Sequence, residues 1–305
     1  MLDFIHHKVR TTPWLGRFVL KSIPNVKWNV EIEPIGKFTI RLREHRMFWL
    51  RSPLMEEGFM LGALNRLIRA GDVVYDVGAN IGLYSRFMIQ CFNAAHVYAF
   101  EPSSSNRRLL EENVNVAESR SRVTVMPCAI GNQDGLADFQ VDDLTSNTGT
   151  LDAVAHGGAS ESRTQYGLPP AITRVPIHQL DTLIETKEIP LPDVVKVDVE
   201  GAEAMALHGA NHLLSTRKPR LAVELHGAEV ARQALQILWS HGYHCFGRFE
   251  AKQVQAYKEI VPADLPAITH RYSLSYIACS VNEEDVKTPI ENYKTTLANQ
   301  APQPV

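Results

Sequence analysis

The stretch at residues 73–82, VVYDVGANIG, joins a short apolar run to a bend that contains two glycines. The apolar run is typical of a buried strand, and the residues after the bend fit the start of a helix near Ile81. Gly78 and Gly82 carry no side chain, so the backbone between them can turn tightly and approach a ligand closely. The first turn of the helix would direct free backbone amides at that ligand. The stretch therefore predicts a strand, a ligand-binding bend and a helix.

Similar units recur along the chain. From residue 72 onward, β-branched or aromatic runs alternate with helical patterns, as the strand–helix units of a parallel sheet require. The segments predicted as strands are DVVYDVG, HVYAFE, RVTVMPCAI, DVVKVDVEG, RLAVELHG, YHCFGRF and SLSYIACSV. AEAMALHGANHLLSTR predicts one helix, and GNQDGLADFQVDD predicts a hairpin. The alternation predicts an α/β fold in which ligands bind outside the carboxyl ends of the strands.

The pattern divides the chain into three parts. Residues 1–69 are predicted as an N-terminal helical or β extension, and residues 70–281 as the main domain. Residues 282–305 contain few apolar side chains to bury and are predicted as a loose tail. Within the main domain, a segment rich in Gly, Ser and Thr at about residues 145–170 predicts a mobile cover over the ligand site.

The composition limits the possible partners. The net charge of −3, with both signs mixed along the chain, argues against a nucleic-acid surface. The four cysteines are widely spaced without a CxxC pair, which predicts reduced thiols of a cytoplasmic protein instead of a zinc site or a disulfide framework. Charged residues interrupt the first twenty positions, so neither a signal peptide nor a membrane span is predicted there.

The order Asp76, Gly78, Asn80, Gly82 departs from the GxGxxG pattern of a dinucleotide site. An acid before the bend disfavours pyrophosphate but suits a cationic amino or sulfonium group, such as those of S-adenosylmethionine. Glu101 ends the next predicted strand, where a carboxylate can bind both ribose hydroxyls of either cofactor. The residues favour S-adenosylmethionine. A nicotinamide-dependent oxidoreductase and an inactive cofactor-binding or scaffolding protein are the alternatives.

The motifs DVGANIGLYS, FEPSSSN, AIGNQDG, SNTGT, LDTLI, VKVDVEGAE and LAVELH resemble, in order and spacing, those of the FkbM-type S-adenosylmethionine-dependent methyltransferases. The resemblance extends over about residues 70–245, and KVDVEGAE after DVGANIG is its most specific part. It implies a class I methyltransferase fold, which is a Rossmann-like sheet of seven mostly parallel strands with helices on both faces. The last strand of that sheet is antiparallel.

The resemblance also implies a reaction and a set of cofactor residues. The reaction is O-methylation of a hydroxyl on a sugar, glycan or polyketide-like acceptor. The bend would hold the cofactor, and the acid at residue 101 would bind its ribose. The segment after the third strand would flank its adenine. The implied cofactor residues are Asp76, Gly78, Asn80, Gly82, Glu101, Ala129, Ile130 and Asn132.

Two later strands carry the candidate catalytic residues. Because alternate residues of a strand share a face, Lys196, Asp198 and Glu200 point one way, and they must pair or reach the ligand cleft. The same alternation places Glu224 beside His226 at the end of the next strand. We predict His226 as the general base, since its ordinary pKa lies near neutral pH, and Asp198 as its positioning partner.

Less specific interpretations remain for these residues. Lys196 fits a structural ion pair with one carboxylate, and Glu203 fits a solvated helix. A divalent metal is a further alternative, because Asp198, Glu200, Glu224 and His226 offer oxygen and imidazole ligands for magnesium, manganese or a similar ion. Sequence order alone does not show that the four side chains converge. The metal-free mechanism is therefore the favoured prediction.

Overall fold

A computed structural model of the chain describes residues 22–50, 54, 57–141, 149–152, 169, 171–251, 254–269, 274–291 and 293–294. Its strands are β1 (Lys27–Ile32), β2 (Gly36–Arg41), β3 (Val73–Val77), β4 (His96–Phe100), β5 (Val123–Met126), β6 (Ala129–Ile130), β7 (Gly135–Gln140), β8 (Thr150–Leu151), β9 (Ile172–His178), β10 (Val194–Val197), β11 (Arg220–Glu224), β12 (His244–Ala251), β13 (Val254–Glu259) and β14 (Leu274–Ser280). Its α-helices are α1 (Met47–Leu50), α2 (Gly58–Leu67), α3 (Leu83–Gln90), α4 (Ser104–Val114), α5 (Leu180–Glu185), α6 (Glu203–His208), α7 (Asn211–Thr216) and α8 (Ala228–Ser240).

The main sheet has eight strands in the order β13-β12-β14-β11-β10-β3-β4-β5. The run from β11 to β5 is parallel, whereas β14 is antiparallel to both β11 and β12. The predicted mostly parallel sheet with one antiparallel last strand is confirmed. The eighth strand, β13, was not predicted. It forms an antiparallel hairpin with β12 at the edge of the sheet.

Helices cover both faces of this sheet, as predicted. Val74 and Val194 enter one apolar cluster together with side chains of α2, α3 and α4. Val195 and Val197 enter a second cluster with side chains of α5, α6, α7 and α8. Neighbouring residues of a strand point to opposite faces, so the apolar run of β10 supplies both cores. The sheet is thereby buried on both sides, and only its edges and strand ends can reach a ligand.

A second sheet has the order β6-β9-β7-β8 and corrects two predictions. The predicted third strand divides into β5, which belongs to the main sheet, and β6, which pairs in parallel with β9. The predicted hairpin in GNQDGLADFQVDD is wrong, because this segment contributes the single strand β7. Its partners are β8 and β9, which follow later in the chain.

The helix predicted after the KVDVEG motif is interrupted. The structure has α6 and α7 there, separated at Gly209 and Ala210. A Cβ on Gly209 would lie 1.9 Å from the carbonyl oxygen of Gly131. The glycine therefore allows the end of α6 to contact the turn after β6.

The described part of the N-terminal extension packs into the main core. Phe38 and Ile40 of β2 are fully buried in the cluster that contains α2, α3 and α4. Asn113 of α4 fixes β2 in place: it accepts from the N–H of Thr39 at 2.7 Å and donates to the carbonyl of Thr39 at 2.9 Å. Its amide also donates to the carbonyl of Ile81 at 2.9 Å. Hairpin, helix and bend are thus linked by one buried side chain.

Residues 282–291 and 293–294 are packed against the domain, in contrast to the loose tail that was predicted. Val286 and Tyr293 are buried in the main core, where Tyr293 makes edge contacts with Phe87 and Phe92. Arg69 and Tyr257 also bind this segment, through the carboxylate of Asp285 and the carbonyl of Val286. The predicted cover lies outside the described residues, apart from residues 149–152 and 169. Across the described ranges, every helix is too short or too polar to traverse a lipid bilayer.

Candidate active site

The bend after β3 is fixed at the carboxyl edge of the sheet. The N–H groups of Gly78 and Ala79 donate to the carbonyl of Phe100 at 3.1 and 2.9 Å. Gly78 has a φ of 81°, and a Cβ there would lie 1.8 Å from the carbonyl oxygen of Asp198. Glycine tolerates both this backbone conformation and this close approach. The bend therefore brings the ends of β3 and β10 together, where ligands bind in such sheets.

One cleft opens beside the bend, with an empty volume of about 610 Å³. The predicted cofactor residues that line it are Gly78, Asn80, Glu101, Ala129 and Ile130. Its apolar wall is completed by Phe100, Cys128, Phe139 and Leu151. The same cleft is lined by Asp198 and Glu200, which follow β10. The cofactor and catalytic predictions therefore meet in one place.

Asp76, Gly82 and Asn132 do not line this cleft, and their contact with a cofactor stays a prediction. The side chain of Asp76 is fully buried below the bend. A Cβ on Gly82 would lie 2.6 Å from the side chain of Leu110, so this glycine allows the bend to pack against α4. Asn132 is exposed in the turn between β6 and β7.

Lys196 is the cation that Asp76 contacts. Its Nζ lies 3.1 Å from Oδ1 of Asp76 and 3.3 Å from Oδ2 of Asp198, and its side chain is fully buried. The other oxygen of Asp76 accepts from the Ser85 hydroxyl at 2.6 Å. Lys196 also donates to the carbonyl of Gly78 at 2.7 Å. The structural ion pair is the interpretation that holds for Lys196, and this pair supports the bend from below.

Charge and burial act in opposite directions on Lys196. Burial lowers its pKa, but Asp76 and Asp198 outweigh that effect and raise the pKa above its ordinary value. The ring of Tyr84 lies 4.8 Å from Nζ and adds a cation–π contact. Lys196 therefore stays charged between two carboxylates, one below the bend and one at the cleft.

Glu101 lies at the end of β4 with its carboxylate in the cleft. One oxygen accepts from the N–H of Asn80 at 2.9 Å, and the other accepts from the N–H of Ser103 at 2.8 Å. Burial raises its pKa to about 7, although these two hydrogen bonds favour the ionised form. Each carboxylate oxygen retains a further lone pair. Glu101 can therefore accept hydrogen bonds from two ligand hydroxyls without losing its protein contacts.

His226 lies in a ring of carboxylates beyond the ends of β10 and β11. Its Nδ1 is 2.8 Å from Oε1 of Glu203. Its Nε2 is 3.6 Å from oxygens of Glu200 and Glu224 and 3.9 Å from Oδ1 of Asp198. Ligand atoms of Asp198, Glu224 and His226 all lie within 4.8 Å of one another. The structure therefore brings these side chains together, which sequence order alone did not show. We call Asp198, Glu200, Glu203, Glu224 and His226 the carboxylate–histidine cluster.

The cluster changes the chemistry of its histidine. Burial lowers the pKa of His226, but Glu200 and Glu203 outweigh burial and raise the pKa well above its ordinary value. Burial and the charge of Asp198 likewise raise the pKa of Glu224. An imidazole that holds its proton at neutral pH has no lone pair with which to accept another. This electrostatic setting disfavours the predicted role of His226 as a general base.

Glu203 is buried, so its predicted place on a solvated helix is wrong. It stands in the first turn of α6, and Oε1 accepts from the N–H groups of Gly201 and Val199 at 3.0 and 3.3 Å. Glu203 thereby satisfies two backbone amides of the turn that leads into α6. The same oxygen accepts the Nδ1–H of His226. The sequence interpretation missed both contacts.

Comparison with known proteins assigns the chain to a family. The profile of the Methyltransferase FkbM domain matches residues 76–245, which include the bend, Glu101 and the carboxylate–histidine cluster. The chain belongs to the FkbM methyltransferase family. The resemblance inferred from the motifs is confirmed, and the oxidoreductase alternative is not supported by this match.

Curated relatives of this FkbM methyltransferase are distant. The hexuronic acid methyltransferase AglP of Haloferax volcanii is 28% identical over 203 residues, which cover 67% of this chain and 75% of AglP. The 31-O-demethyl-FK506 methyltransferase FkbM of Streptomyces tacrolimicus is 28% identical, with 58% of this chain and 74% of that protein covered. A crystal structure of methyltransferase FkbM from Methylobacillus flagellatus is 17% identical with a TM-score of 0.41, and the match covers 68% of this chain and 43% of that one.

One residue from outside the matched range, Glu57, also contacts the site region. The hydroxyl of Tyr84 donates to Glu57, which immediately precedes α2 in the N-terminal extension. Glu57 and Asp198 both contribute to the raised pKa of Tyr84, after burial as the main cause. The extension therefore places a carboxylate near the carboxylate–histidine cluster. No motif in the sequence signals this contact, because it depends on how α2 packs on the sheet.

Proposed function

We propose that the protein transfers a methyl group from S-adenosylmethionine to a hydroxyl group of a sugar, glycan or polyketide-like acceptor. The observation that carries the proposal is the single cleft lined by the bend and Glu101 and also by Asp198 and Glu200. A cofactor bound at Glu101 would thus share the cleft with the carboxylate–histidine cluster. Two relatives are named for methylation of a hexuronic acid and of 31-O-demethyl-FK506, which supports this acceptor class.

The residues in the cleft fit S-adenosylmethionine. Glu101 presents carboxylate oxygens to ribose hydroxyls, and Ile130, Phe139 and Leu151 offer an apolar surface for adenine. Gly78 lines the same cleft, where the remaining part of the cofactor would pass. When bound, this cofactor supplies a methyl group activated by a positively charged sulfonium.

The acceptor side must align a hydroxyl and take its proton. Alignment and exclusion of water supply much of the rate in such a displacement. Asp198 and Glu200 line the cleft with side chains that are 20% and 15% exposed. A partly buried carboxylate at this place can accept the hydroxyl proton as the oxygen attacks. His226 contacts Glu203 and Glu224, and through these contacts it positions the carboxylates of the cluster.

The proposal is tested by incubating the full chain with methyl-labelled S-adenosylmethionine and candidate acceptors. Hexuronic acid glycans, neutral glycans and hydroxylated polyketides form the panel, and nuclear magnetic resonance locates the added methyl group. We expect a methyl ether on one acceptor class. Methylation of nitrogen or carbon would overturn the assignment. Cofactor binding without transfer to any member of a broad host extract would favour the inactive cofactor-binding alternative.

Binding of S-adenosylmethionine should weaken when the solution is acidified through neutrality. Ribose hydroxyls donate to the ionised carboxylate of Glu101, whose pKa is raised to about 7 in the free protein. The ionised fraction falls from about nine-tenths at pH 8 to about one-tenth at pH 6, so the dissociation constant should rise about tenfold. Isothermal titration calorimetry at both pH values measures this change. Glu101→Gln should bind weakly with little pH dependence, and an unchanged pH dependence in this variant would assign the effect to another group.

Removing the carboxylate of Glu101 should weaken cofactor binding at pH 8. Glu101→Ala deletes charge-assisted hydrogen bonds worth about 1.5–3 kcal/mol, which corresponds to roughly a 10- to 100-fold loss of affinity. Calorimetry on the folded variant provides the measurement. Glu185→Ala is the matched control, because Glu185 is exposed on α5 and away from the cleft. Equal affinities of the two variants would remove Glu101 from the cofactor site.

A further inference from the structure

We propose that Asp198, Glu224 and His226 bind one divalent cation, which holds the acceptor hydroxyl for methylation. The inference rests on the proposed function for its catalytic part, whereas the binding site itself stands on geometry alone. The three residues follow or end the adjacent parallel strands β10 and β11. They are therefore carried by two hydrogen-bonded central strands, at the edge of the sheet beside the cleft.

The distances within the cluster fit ligands of a common ion. Nε2 of His226 lies 3.9 Å from Oδ1 of Asp198 and 3.6 Å from Oε1 of Glu224. These separations are too long for hydrogen bonds. Ligands bound at about 2.0–2.2 Å to one ion lie roughly 3–4.2 Å apart, depending on the angle between them. Both separations from Nε2 fall in this range.

The histidine is oriented as a metal ligand would be, and a cation at Nε2 would displace the proton that the carboxylates favour there. Its Nδ1–H donates to Glu203 at 2.8 Å, which turns Nε2 toward the carboxylates of Asp198 and Glu224. Nε2 itself makes no hydrogen bond with any part of the chain that the structure describes. A carboxylate on the far nitrogen is the usual support of a metal-bound imidazole. Glu203 is therefore assigned as the positioning residue of the site.

The charges of the cluster also call for a cation. Among the residues with described contacts, Glu203 and Glu224 form ion pairs with His226 alone. Oε2 of the fully buried Glu203 lacks a hydrogen-bond partner within the same set. Lys196 contacts the cluster only at Asp198 and is shared with Asp76. Buried carboxylates without enough positive charge cost several kcal/mol, which a dication in their midst would offset.

Two carboxylates and one imidazole suit a dication such as Mn²⁺ or Mg²⁺ better than a soft ion, because oxygen ligands dominate. Such an ion would bind the acceptor oxygen and lower the pKa of its hydroxyl. The proton passes to Glu200, which lines the cleft and is outside the ligand set. The oxygen–methyl bond forms as the carbon–sulfur bond of the cofactor breaks, and the electron pair of that bond remains on sulfur.

Mn²⁺ binding to the full chain tests the site directly. After exhaustive chelation and removal of the chelator, the protein is titrated with Mn²⁺, and free ion is followed by electron paramagnetic resonance. We expect one site. Glu224→Gln and His226→Ala should weaken binding by at least tenfold, and Glu203→Gln by about 10- to 100-fold. Glu229→Gln is the matched control, since Glu229 is exposed on α8. This variant should bind Mn²⁺ as tightly as the wild type does.

A measurement on the wild type protects the test against variants that misfold. Bound Mn²⁺ should show the spin-echo modulation of one histidine nitrogen, and its absence would overturn the site. Equal Mn²⁺ affinity of wild type, Glu224→Gln and His226→Ala would also overturn it. Full methyl transfer after chelation would overturn the catalytic part and leave the proposed function standing. Failure of the chelated protein to bind S-adenosylmethionine would instead count against the proposed function, whatever the Mn²⁺ result.

Discussion

Replacing Lys196 with Met should lower the free energy of unfolding by about 3–5 kcal/mol, the cost of breaking a buried ion pair from one side. Lys196 is fully buried between Asp76 and Asp198, at 3.1 and 3.3 Å. Met keeps most of the side-chain volume but leaves both carboxylates without their cation. Loss of the hydrogen bond to the Gly78 carbonyl also removes support from the bend. Urea unfolding followed by circular dichroism measures the change.

Lys27→Met is the matched control for this prediction. Lys27 pairs with Glu112 on the surface, with side chains that are 55% and 41% exposed. Exposed pairs of this kind contribute at most about 1 kcal/mol. Adding Asp76→Asn to Lys196→Met should recover part of the lost stability, because it removes one uncompensated charge. A loss in Lys196→Met as small as that in Lys27→Met would show that the buried pair contributes little.

His226→Ala should reduce methyl transfer by about 10² or more at neutral pH, with cofactor affinity changed by less than about threefold. The imidazole contacts the carboxylates of the carboxylate–histidine cluster, and it does not line the cleft beside Glu101. Its removal disturbs the acceptor side, so the loss is felt in the transition state. Initial rates with labelled cofactor and calorimetry of cofactor binding separate the two effects.

His208→Ala provides the comparison for that variant. His208 ends α6, the same helix that Glu203 begins, and its side chain is exposed. We expect wild-type rates from this control. Wild-type rates from His226→Ala would remove His226 from catalysis altogether and leave Asp198 and Glu200 as the acceptor-side groups. A large loss of cofactor affinity in His226→Ala would place the residue on the cofactor side instead.

The main sheet was predictable because its central strands are continuous apolar runs bounded by turn residues. The strand β3 and the bend after it can be identified within ten residues. The second sheet was not predictable, since β7 pairs with β9 some thirty residues later, and nothing within the segment of β7 specifies that partner. The described part of the predicted tail, residues 282–291 and 293–294, could not be placed from the sequence for a similar reason. Two buried side chains, Val286 and Tyr293, decide its position, and they find their partners in distant helices.

The sequence predicted which residues belong to the site better than it predicted the contacts between them. Strand alternation correctly placed Lys196 and Asp198 on one face, and they lie 3.3 Å apart. Asp76 was expected to meet a cationic ligand. The register of β3 against β10 instead sets Asp76 opposite Lys196, and this register cannot be read from either strand alone. The role of Glu203 was missed because it depends on contact with His226, which follows it by 23 residues.

The buried amide of Asn113 has a consequence for synthesis on the ribosome. The hairpin β1–β2 docks through hydrogen bonds between Thr39 and Asn113, which are 74 residues apart. At roughly 5–20 residues per second, translation supplies Asn113 about 4–15 seconds after Thr39. During that interval Phe38 and Ile40 have no helix α4 to pack against. The apolar side chains of the β1–β2 segment therefore wait several seconds for this packing partner, and apolar surface exposed during such an interval is prone to aggregation.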